Sequence, residues 1–137
     1  MRWADQLIKL SNFELELLQT RLAAIVERRT HAELKLVVLA AESEAELALA
    51  KTDPEAGRSL AAFRERMKLR KAAAQRDIDQ AAAEESGARD ALAQAFETLK
   101  KYEHVAESAR LAAVKETARR ENAVLDEMGL RRAAGRR

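Results

Sequence analysis

Apolar and polar positions alternate at helical spacing along nearly the whole chain. Ile8, Leu15, Leu18, Leu22, Ile25, Ala32, Leu36 and Leu39 lie on one stripe, which Ser11 and Arg29 join as polar members. Steps of three and four average 3.5 residues, the spacing of a left-handed coiled-coil seam. Beyond Leu39 the stripe moves to Leu47 and Ala50, which predicts a stutter. This pattern predicts a helix over 3–51, roughly 70 Å long at about 1.5 Å per residue. A second face begins with Leu60, Phe63, Met67, Ala74, Ile78 and Ala81. It resumes with Leu92, Phe96, Leu99, Ala106, Ala109 and Ala113, and later with Val124, Leu125 and Met128.

Between these stretches stands Thr52-Asp53-Pro54-Glu55-Ala56-Gly57, which holds the only proline. Pro54 lacks a backbone donor and biases Asp53 away from helix. Gly57 adds backbone freedom for a turn. The prediction is a turn over 52–57 and a second helix over 58–128. Glu84-Glu85-Ser86-Gly87 is the weakest helical stretch, because an interior glycine costs up to about 1 kcal/mol against alanine. A kink or fraying is expected there. Met128-Gly129 reads as a helix stop, which leaves 130–137 as a frayed basic tail. The fold class is all-α: a long antiparallel two-helix coiled-coil hairpin, one domain over 1–129. There is room for a kink or a short extra helical element near the tip. If the turn closes tightly, the longer second arm overhangs the first.

Composition supports the same picture. Charged residues make up 35% and aromatics 4%, too little bulk for an ordinary globular core. No cysteine is present, which excludes disulfides and thiolate metal sites. No apolar run reaches the length of a membrane span, and no secretion signal opens the chain, so the expected location is the cytosol. The net charge is +2. Arg64, Arg66, Lys68, Arg70, Lys71 and Arg76 cluster against Glu65 alone, and Arg131, Arg132, Arg136 and Arg137 close the chain. On a helix the first cluster encircles the rod, and its ordinary role is a solvated surface. His31 and His104 each have one carboxylate nearby, too few ligands for a metal. No phosphate loop, glycine fingerprint or nucleophile elbow occurs. The reading is a protein without catalysis or cofactor.

Three stretches carry a resemblance to a known family. The first is Leu7-Ile8-Lys9-Leu10 with Phe13-Glu14-Leu15 and the run from Leu18 to Arg29. The second is Gly57 with Leu60, Phe63 and Met67. The third runs from Lys100-Lys101-Tyr102 to Arg119-Arg120-Glu121 and then Leu125-Asp126-Glu127-Met128. Together they resemble the flagellar type III export protein FliJ family, small helical hairpins of the cytosol. The resemblance implies a non-enzymatic component, similar to the central stalk of rotary ATPases. It would bind the hexameric export ATPase, contact the membrane export gate and handle export chaperones. It would be peripheral to the membrane only through protein partners.

The gate-contacting surface implied for such a protein lies near the tip. Phe63 and Met67 match its apolar and aromatic pattern, with Arg70 and Ala74 next along that face and different in type. The terminal half of the coiled coil, with Arg119, Arg120, Arg131 and Arg132, would face the ATPase. Two other readings compete on the residues alone. One is a generic coiled-coil scaffold or homodimer built on Ala-rich faces. The other is a nucleic-acid-binding hairpin, against which the near-neutral charge argues, so no nucleic-acid partner is expected.

Overall fold

A computed structural model describes residues 2–135. Two helices make up the chain, α1 over Arg2–Ala50 and α2 over Pro54–Gly135. The connection is shorter than the sequence pattern suggests. Pro54 starts α2 instead of interrupting it, because a first-turn residue needs no backbone donor. Asp53 caps the helix: its Oδ1 accepts from the Glu55 amide at 3.0 Å, and its carbonyl accepts from Gly57 N at 3.0 Å. The end of α1 tightens, with Thr52 N and Asp53 N both donating to the Leu49 carbonyl. Gly57 is helical, and no glycine has positive φ. A side chain there would begin 3.4 Å from the Ala50 carbonyl oxygen. That is an ordinary contact distance, so neither the space nor the backbone at this position requires glycine, and the conformational freedom predicted for it is not used.

The chain divides into two compact units. The turn unit is Glu16–Ala93, and the terminal unit joins Met1–Leu15 to Gln94–Arg137. In the turn unit the two arms pack antiparallel. Leu39, Met67 and Ala74 form its buried cluster, with Leu36 and Phe63 packed against it. Shielded positions on α1 continue through Ser43, Glu46 and Ala50 in unbroken heptad phase, while Leu47 is exposed. The expected stutter is thus absent from α1. Ser43 tolerates its place because its hydroxyl donates to the Leu39 carbonyl at 2.9 Å. The irregular step lies in α2, where Phe63, Met67 and Lys71 are shielded at two successive spacings of four.

The predicted weak point also differs. α2 runs through Gly87 without interruption. Gly87 has open space around it, and the glutamates before it are tied across the seam. Arg29 Nε donates to Glu85 Oε2 at 2.7 Å, and Arg28 pairs with Glu84. No extra element stands near the turn; the described residues contain two helices.

In the terminal unit Ala4, Ser11 and Leu15 are buried on α1 and Leu99 on α2. Tyr102, Ala106 and Ala109 are shielded beside them, whereas Phe96 is half exposed, with Lys100 Nζ 5.2 Å from its ring centre. From Leu111 to Gly135 every residue except Glu116 is exposed, so α2 continues past its partner. The predicted stop at Met128-Gly129 does not occur, since helix persists to Gly135. Glycine costs a helix only about 1 kcal/mol, and strong helix formers surround this one. Arg136 and Arg137 of the expected tail lie outside the described residues.

Candidate partner-binding surfaces

Three polar or apolar constellations stand out on this scaffold. The first is the ion-paired layer inside the turn unit. Arg29 and Glu85 both sit on seam positions, with the Glu85 side chain only 12% exposed. Glu85 Oε1 also accepts from Arg89 Nη2 at 2.8 Å, and Arg29 Nη1 donates to Glu33 Oε1 at 2.9 Å. Arg89, and after it Arg29, hold the Glu85 carboxyl below the usual carboxylate range. Glu85, with help from Glu33, raises the Arg29 guanidinium. A charged pair at a half-buried seam adds little net stability, but losing one partner leaves the other uncompensated.

The second constellation is the face beside the turn. A groove of about 490 Å³ runs along the turn unit, walled by Leu47, Leu60, Phe63 and Met67 and edged by Arg64 and Lys68. Phe63 and Met67 therefore do come together, although Met67 is 5% exposed and belongs mainly to the core. Arg70 lies apart from them. It edges another groove with His31, Leu34 and Val38. Ala74 is 1% exposed and sits in the seam, so no partner touches it while the arms stay paired. The four tip positions do not form one surface.

The third constellation is the free end of α2. Arg119 and Arg120 both donate to Glu116 Oε1, at 2.7 and 3.1 Å, and Arg131 donates to Glu127 Oε1 at 2.9 Å. Arg119 draws the Glu116 carboxyl below its ordinary value. Arg132 is exposed. Three of the four predicted arginines are thus already engaged along their own helix. Sequence reading put Leu125 and Met128 on the intramolecular face and passed over Leu111 and Val114. Leu111, Val114, Leu125 and Met128 are all exposed, and they fall off the seam line that Leu99, Ala106 and Ala109 define. The signal was the phase change: the seam positions turn into Glu116, Arg120 and Glu127.

Among the described residues no group of three or more His, Asp or Glu side chains could hold a metal, and no helix is long and apolar enough to cross a membrane. Paired long helices, an Ala-rich seam and open surface grooves define a two-helix coiled-coil protein. Two relatives from Caulobacter vibrioides, of strains NA1000 / CB15N and ATCC 19089 / CIP 103742 / CB 15, are each a flagellar FliJ protein. Both are 51% identical to this chain over 133 residues, covering 97% of it and 96% of their own length. The chain belongs to the flagellar FliJ protein family. No protein-family model matches the chain, and no solved structure matches it significantly.

Proposed function

We propose that the protein is a non-enzymatic component of the flagellar type III export apparatus. In this reading it binds the export ATPase ring as a stalk-like subunit and links it to the membrane export gate and to export chaperones. It works in the cytoplasm, held at the apparatus by protein partners. The observation that carries the reading is 51% identity to flagellar FliJ proteins across nearly the full length of both chains. The open groove beside the turn and the uncovered end of α2 support a binding role. The groove at Phe63 is the surface offered to the gate, and the free end of α2 is the part offered to the ATPase.

The test is a pull-down from the same bacterium with the purified export ATPase and the cytoplasmic portion of the gate. Phe63→Ala is expected to weaken gate capture about tenfold, as loss of an aromatic anchor does. Truncation after Arg110 is expected to abolish ATPase capture. Wild-type protein that captures neither partner at low or moderate salt overturns the reading.

A further inference from the structure

We infer that the free end of α2 carries a docking stripe for an apolar helix with an acidic rim, and that this stripe and its basic flanks, not Arg119 and Arg120, hold the partner. The inference rests on the reading above only in placing a partner at this end. Leu111, Ala118 and Leu125 take one heptad position, and Val114, Glu121 and Met128 take the other. The spacing is three-four-three-four-three, a complete coiled-coil face. It lies on the side of the helix opposite Glu116, Arg120 and Glu127, where the intramolecular seam would have continued. The large members are far from buried: Leu125 is 63% exposed and Val114 54%.

The rim decides what can cover it. In the flanking positions Arg110, Lys115 and Arg131 are basic, and Thr117, Asn122, Val124 and Gly129 are uncharged. No acid stands there. A second copy fits poorly. An antiparallel copy would set Leu111 on Met128 and Val114 on Leu125, but it would also set Arg110 against Arg131 and bury Glu121 against Ala118. A parallel copy would oppose Glu121 to Glu121 and Arg110 to Lys115. Like charges at such positions repel. An acidic rim instead gains three opposite charges, and a Lys opposite Glu121 satisfies the one carboxylate on the stripe. Arg110 and Arg131 already serve Glu107 and Glu127, yet a guanidinium has five donors and accommodates a second carboxylate.

The probe is a synthetic heptad peptide with Leu on its two seam positions, Glu on both flanks and one Lys placed to face Glu121. Its counterpart carries Lys on both flanks. Fluorescence anisotropy with the full chain is expected to show the acidic peptide binding at least about tenfold tighter than the basic one. Leu125→Asp should weaken it about tenfold or more, with an unchanged thermal melt, while Arg119→Ala/Arg120→Ala should change it less than about threefold. Equal binding of both peptides, or binding indifferent to Leu125→Asp, overturns the inference. So does a dimer in sedimentation that Leu125→Asp dissolves, since a second copy would then own the stripe. ATPase capture separates the two readings. Wild-type capture unaltered by Leu125→Asp overturns the stripe and spares the export role. Peptide binding without ATPase capture supports the stripe and removes the ATPase from the export role.

Discussion

Leu39 and Glu85 illustrate how differently two seam residues act. Leu39 is 4% exposed at the centre of the turn unit's core. Leu39→Ala is expected to cost about 2–5 kcal/mol, read as a lowered denaturant midpoint. Glu85 acts through its charge. Its carboxyl is held below the ordinary range by Arg89 and Arg29. A group depressed in the folded state stabilises above its unfolded pKa and loses that contribution as pH falls through the folded value. Thermal melts should therefore weaken on acidification below the ordinary carboxylate range, and Glu85→Gln should flatten that dependence. An unchanged acid limb in Glu85→Gln would show that other carboxylates set it. Gly87 faces open space, so Gly87→Ala should raise stability by about 0.5–1 kcal/mol in the same melts.

The two helices show which parts of the pattern could be read in advance. The seam from Leu15 to Leu39 was legible because one heptad repeats with few polar exceptions. Those exceptions carried more information than they first offer. Arg29 on one stripe and Glu85 on the other are complementary charges at seam positions, and the structure joins them. Pro54 was legible as a boundary but not as a helix start, since the same residue serves both roles and only the Asp53 cap separates them. Asp53→Ala is expected to cost about 1 kcal/mol, measured by chemical denaturation. Phe96, Val124, Leu125 and Met128 were placed on the intramolecular face. Their phase differs by a residue or two from Ala95, Leu99 and Ala106, and a spacing rule followed loosely slides across such a shift.

For the molecule entire, the division of labour is between a paired portion and an unpaired one. Removal of 111–137 should leave the melt within about 0.5 kcal/mol of wild type, because none of its described residues is buried in the seam. A large loss would show that the segment packs on the remainder. The candidate surfaces were less legible than the fold, since a binding surface is defined by what it leaves uncovered, and coverage depends on helix phase. The asymmetry of the seam has one more outcome. In the turn unit α1 contributes Ile25, Leu36 and Leu39, while α2 contributes Phe63 and Met67 near the turn and, farther along, buries Ala74, Ala81 and Ala88. Alanine exposes little oily area when the arms separate, so beyond Phe63 and Met67 the larger part of the adhesive surface then travels with α1. A transiently unzipped chain would clump through its first arm, and a nascent chain, which emerges with that arm first, needs shelter until the second has been made.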